Sequence, residues 1–105
     1  MLIEETVTIA TDHPALAGHF PGLPVVPGAL LLDTVIGAAE AQANLRIDEV
    51  VRMKFHRPLA PETAFTIRLQ SIEDGRVEVH CRVGDELLLS GVLRAEPKVA
   101  GERRP

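Results

Sequence analysis

The chain opens with alternation. Ile3, Val7 and Ile9 are set against Glu4, Thr6 and Thr8, with Glu5 the one exception. A period of two predicts a strand over residues 2–9. Residues 11–27 then break all periodicity with His13-Pro14, Gly18-His19 and the further prolines Pro21, Pro24 and Pro27. Proline fixes φ and pushes the residue before it toward extended geometry, so this stretch reads as an ordered loop. A helix is expected to begin near Pro27-Gly28, because proline is favoured in a first helical turn. The run "GALLLDTVIGAAEAQANL" carries it to about Asn44 or Leu45, with Leu30, Leu31, Val35 and Ala38 at helical spacing. Ala29, Gly37 and Ala41 form a small-residue stripe with Asp33 between them. A helix apolar nearly all round is expected to be buried on most faces.

The second half alternates again. Val51, Met53 and Phe55 face away from Arg52 and Lys54. After the break "RPLAPET", Phe65, Ile67 and Leu69 oppose Thr66, Arg68 and Gln70. "EDGR" supplies an Asp-Gly hairpin signal. Val77, Val79, Cys81 and Val83 follow against Glu78, His80 and Arg82. A second Asp/Gly turn, "VGDE", leads into "LLLSGVLRA", which is apolar on both faces and suggests an edge, or a face covered by a second copy of the chain. The order is strand, loop, long helix, four antiparallel strands, with no repeat or linker. That predicts an α+β fold, an antiparallel sheet wrapped around one long central helix. One domain is expected over residues 1–96, with a flexible tail over 97–105.

Composition narrows the classes. The chain has 105 residues, with three Phe and no Tyr or Trp, so the core must be aliphatic. Net charge is −4 with signs interspersed. A nucleic-acid binder usually shows a basic stripe and stacking aromatics, and neither is present. A lone cysteine, Cys81, allows no internal disulfide, and the four histidines lack metal-ligand spacing. No Gly-rich phosphate loop occurs, and no cofactor is expected. The N-terminus lacks a basic signal region, and the longest apolar run is broken by Asp33, too short for a bilayer. A soluble cytoplasmic protein without membrane insertion is the expectation.

Chemistry concentrates in "GHFPGLPVVPGALLLDTV", residues 18–35. His19 sits on the proline-braced loop and Asp33 on the helix, 14 positions later. A carboxyl group buried without a partner favours its protonated form and can donate a proton. A histidine near neutrality can accept one. The pair has the ingredients of a general base and a general acid, although a satisfied helix carboxylate and a surface histidine would look the same singly. The helix start at Gly28-Ala29 offers free N–H groups and the positive end of the helix dipole, suited to a developing oxyanion.

This stretch resembles the signature of the hot-dog-fold 3-hydroxyacyl-(acyl-carrier-protein) dehydratases, a His-Phe-Pro-Gly-x-Pro-x-x-Pro-Gly loop followed by an acid 14 residues after the histidine. One branch of that family uses Glu there, and the decanoyl type uses Asp. "MKFHRPLAP", residues 53–61, is similar to the family's second motif, except that Glu62-Thr63 replaces Gly-Asp, which reads as turn variation. The likeness covers roughly residues 11–95, and the short chain is most similar to small stand-alone members of the aryl-polyene type. It implies that His19 takes the C2 proton of a 3-hydroxyacyl thioester and Asp33 protonates the departing 3-hydroxyl. The Gly28 N–H would hold the thioester oxygen. It also implies a homodimer, or a higher oligomer, with His and acid of one site drawn from different subunits. An acyl carrier protein would present the substrate on phosphopantetheine, and the acyl chain would enter a tunnel along the helix. Ala29, Gly37 and Ala41 either leave room for that chain or pack closely on the sheet. Arg52, Lys54 and Arg57 either receive the carrier protein or form a solvated strand face. The rival readings are a hot-dog thioesterase using Asp33, and a non-catalytic acyl-binding partner, such as half of a heterodimer. His13 and His56 read as structural or exposed, His80 as polar-face, and Cys81 as core.

Overall fold

A computed structural model describes residues 2–16 and 25–98. The elements are β1 (Leu2–Val7), a 3-10 turn (Pro14–Leu16), α1 (Gly28–Gln42), β2 (Leu45–Phe55), β3 (Phe65–Ser71), β4 (Arg76–Val83) and β5 (Glu86–Pro97). The strands form one antiparallel sheet in the order β1-β3-β4-β5-β2, with the single helix against its inner face, closest to β2. This is the expected α+β arrangement. The inner face is built from the alternating positions: Phe65, Ile67 and Leu69 of β3, Val77, Val79 and Cys81 of β4, and Leu89 and Leu93 of β5 are all buried. The helix meets them with Leu31, Val35, Ala38 and Ala39.

Both hairpins form as their turn residues dictate. Asp74 and Gly75 have φ of 61° and 70°, the pair of positive values that a two-residue primed turn requires. Asp tolerates this conformation and Gly has no Cβ to obstruct it.

Four expectations need correction. The helix stops at Gln42, two or three residues short, because Asn44 takes a left-handed φ of 54° and turns the chain into a strand. That strand, β2, starts at Leu45 and not near Val50, since Arg46 and Ile47 pair with Glu96 and Ala95. Bulges between Ile47 and Glu49 and between Val50 and Arg52 then shift its register, so Val50 stands opposite Leu93 and Arg52 opposite Val92. Gly91 makes the second bulge possible, since a Cβ there would lie 2.4 Å from the Arg52 carbonyl oxygen.

The other two corrections concern burial. β5 is not an edge strand, because it lies between β4 and β2, and residues of both its faces are buried, Leu88 and Val92 as well as Leu89 and Leu93. The helix is not buried on most faces in the single chain. Ala29, Asp33, Gly37 and Ala41 form an exposed stripe, so Asp33 is not a buried acid here. At the C-terminus β5 runs to Pro97, and the Lys98 N–H donates to the Asn44 carbonyl at 3.0 Å.

Candidate active site

The site is built around the N-terminal turn of α1. Pro27 is the N-cap, with φ −60° and ψ 143°, and no side chain caps the helix. Helix geometry leaves the first N–H groups without intrahelical acceptors, so the Gly28 amide is available to an external oxygen. Beside it opens a cleft of about 470 Å³ lined by Val25, Val26, Leu31, Phe55, Pro58 and Leu59, with Gly28 in its wall and His56 and Arg57 at its margin. Most of that lining is apolar. A pocket of this character suits an organic chain beside a small number of placed polar groups.

Two hydrogen bonds brace the approach to the helix. The Val26 N–H donates to the Leu59 carbonyl at 2.8 Å, and the His56 N–H donates to the Leu88 carbonyl at 2.9 Å. The two motifs singled out in the sequence, far apart along the chain, therefore meet at this cleft.

Asp33 lies five residues beyond Gly28. On an α-helix that is about 7.5 Å along the axis and about 140° around it. Gly28 faces the cleft and Phe55, whereas Asp33 faces outward on the stripe with Ala29, Gly37 and Ala41. The stripe is an open surface in the single chain and encloses no tunnel by itself. A Cβ added at Gly37 would meet nothing within 4 Å. His19 lies outside the described residues, as do Pro21 and Pro24.

The remaining candidates sort simply. Arg52 and Lys54 are exposed on the outer face of β2, opposite Val92 and Ser90. Arg57 is ion-paired with Glu86 at the start of β5, so it is not a free member of a basic patch. His56 shares a 2.7 Å hydrogen bond with the Ser90 hydroxyl on the protein surface. His80 lies on the outer face, 3.7 Å from Glu78. Cys81 is in the core, where burial pushes its thiol up to about 12. Among the described residues no three His, Cys, Asp or Glu side chains gather to hold a metal ion. No helix among them is long and apolar enough to cross a membrane.

Glu62 was underrated by sequence reasoning. It occupies the glycine position of the second motif and has a left-handed φ of 66°. Its N–H donates to the Ile9 carbonyl at 2.8 Å, and its carboxylate accepts the Thr11 N–H at 2.7 Å. The turn is thus tied to the segment that follows β1. The signal was in the sequence, a non-glycine residue where the motif has glycine.

Comparison with known proteins agrees with this frame. A family model for ApeI-like proteins, described as ApeI dehydratase, matches residues 2–92. The 3-hydroxyacyl-(acyl-carrier-protein) dehydratase FabZ of Chlamydia trachomatis is 26% identical over 108 residues, covering 89% of this chain and 69% of the relative. FabZ of Thermus thermophilus is 32% identical over 94 residues, covering 90% of this chain and 58% of its own. The dehydratase heterocomplex ApeI:P from Xenorhabdus doucetiae superposes with a TM-score of 0.78 at 18% identity, over 90% of this chain and 86% of that one. Thioesterases share the fold more distantly. The fluoroacetyl-CoA-specific thioesterase FlK reaches a TM-score of 0.60 at 14% identity, over 89% and 88% of the two chains. With the sheet and the helix in place and the family model matching residues 2–92, the chain belongs to the ApeI-like dehydratase family of the hot-dog fold.

Proposed function

We propose that the protein removes water from a 3-hydroxyacyl thioester presented by an acyl carrier protein, giving the trans-2-enoyl thioester, and that it does so as a homodimer. The observation that carries this reading is the placement of Asp33. It is the one ionisable group on an exposed helix stripe otherwise made of Ala29, Gly37 and Ala41, turned away from the Gly28 amide of its own chain. A carboxylate so placed serves a substrate bound between two chains better than one bound within a single chain.

In this mechanism the His19 imidazole takes the C2 proton of the substrate. The electrons of that C–H bond move toward the thioester carbonyl, and the negative charge that develops on its oxygen is met by the Gly28 N–H. The C3–O bond then breaks, its hydroxyl takes the proton of Asp33, and water leaves. His19 ends protonated and Asp33 ionised, so one proton returns from base to acid before the next turnover. Positioned acid–base groups of this kind contribute about 10²–10⁴-fold each.

A second copy is favoured by the outer edge of β2 as well. This strand has eleven residues and no ladder partner on its far side among the described residues, and Val50 is exposed along it. Long edges with apolar side chains are usually covered or blunted. Carrier-protein docking would fall to Arg52 and Lys54, with Arg57 held back by Glu86.

The activity test uses a 3-hydroxyacyl carrier-protein substrate and follows the enoyl absorbance. Formation of enoyl product supports the dehydratase. Release of free thiol without enoyl product would support a thioesterase, and ligand binding without turnover a non-catalytic partner.

A further inference from the structure

The N-terminal turn of α1 lacks the side-chain cap that usually steadies such an end. Leu30 and Leu31 N–H groups return to the Pro27 carbonyl at 3.0 and 3.2 Å, which leaves the Gly28 and Ala29 amides without a helical acceptor. An uncapped end frays unless something else holds it. Two groups from the segment after β2 hold it. Leu59 accepts the Val26 N–H just before the helix. The tip of the Phe55 ring rests on Gly28, so close that a Cβ at position 28 would lie 3.1, 3.2 and 3.5 Å from Cζ, Cε1 and Cε2. The segment itself is anchored: Phe55 is paired with Leu89, and His56 is bonded to Leu88 through its backbone and to Ser90 through its ring.

Core packing does not account for this ring, which is 46% exposed. We propose that Phe55 is a positioning residue, holding the Gly28 amide in the orientation needed to receive the substrate oxygen, and that position 28 is glycine so that the ring can reach the helix backbone. The second motif thus serves the first, as the clamp on its oxyanion donor. The inference rests on the dehydratase reading for its kinetic consequence, and on packing alone for the clamp.

The test compares wild type, Phe55→Ala, Phe55→Leu, Gly28→Ala and the double variant Gly28→Ala/Phe55→Leu. Each is assayed with the 3-hydroxyacyl carrier-protein substrate and by amide hydrogen exchange at residues 28–30. Phe55→Ala is expected to lower kcat by about tenfold or more, since small misplacements near reacting groups are costly. KM should stay within about threefold, and first-turn exchange should quicken. Phe55→Leu keeps an apolar side chain but loses the ring tip that reaches Gly28, so its loss of kcat should fall between wild type and Phe55→Ala. In the double variant the smaller side chain makes room for the added methyl, so its loss should be less than the product of the Gly28→Ala and Phe55→Leu losses. Unchanged kcat and unchanged exchange in Phe55→Ala, or strictly multiplicative losses, would overturn the inference. An inactive wild type would instead overturn the dehydratase reading, and the exchange data would still decide whether Phe55 clamps the helix.

Discussion

At the residue scale, Glu62 and Cys81 behave in ways the structure makes measurable. Glu62 holds a left-handed backbone that costs a side-chain-bearing residue about 1–2 kcal/mol relative to glycine, and it recovers part of that through the Thr11 hydrogen bond. Glu62→Ala keeps the strain and loses the bond. Glu62→Gly loses both. Urea unfolding should therefore place the glycine variant above the alanine variant by about 1 kcal/mol, close to wild type. Equal midpoints for the two variants would contradict the strained turn. Cys81 predicts an alkaline effect. Its thiol is raised from 9.0 to about 12 by burial, so above pH 9 the unfolded chain releases a proton that the folded chain retains. Its contribution to stability is intact below pH 9 and is lost as pH rises toward 12, by up to about 1.4 kcal/mol per pH unit. Cys81→Ala should lower stability at neutral pH and flatten this alkaline decline. A slope identical to wild type would show that the thiol does not titrate out of a buried setting.

At the scale of elements, α1 is the informative one. Its stripe of Ala29, Asp33, Gly37 and Ala41 is open in the single chain. A Cβ at position 37 would meet nothing within 4 Å in its own chain, and replacing glycine inside a helix improves propensity by about 0.8 kcal/mol. Gly37→Leu should therefore leave monomer folding intact, and it should weaken self-association by tenfold or more if the stripe is the dimer face, because overpacking an interface is costly. Sedimentation equilibrium reads this directly, and an unchanged association constant would place the interface elsewhere. Most of the elements were legible in the sequence because their periods were clean, as in β3 and β4, where one face is buried at every second residue. The start of β2 was not. "LRIDE" carries a charged residue at three of five positions, and its strand character comes from pairing with β5 and not from local pattern. The exposure of the helix stripe was also illegible, because an apolar sequence looks alike whether it packs on its own sheet or on a second chain.

At the scale of the whole molecule, the proposed site is shared between two chains. The proposed pairing of His19 with Asp33 comes from the motif and its 14-residue spacing, and the proposed role of Gly28 from the proline before it. What the sequence could not convey was direction. Gly28 faces a cleft lined by Phe55 and Leu59, and Asp33 faces outward on another side of the same helix. Under the proposed mechanism, one chain contributes to two different sites. The exposed edge of β2 and the open stripe on α1 are both surfaces that a second copy would cover, and closed two-fold pairing is the commonest way for a chain to do so.

The most direct test of this account is complementation between two inactive variants. His19→Ala and Asp33→Asn should each lose at least about 10²-fold in dehydration rate as pure proteins. Mixed and allowed to exchange subunits, half the dimers carry one chain of each, and each of these has one site with both groups intact. Activity should return to about one quarter of wild type. A mixture that stays as inactive as its components would contradict the split site, showing that His19 and Asp33 serve the substrate from one chain.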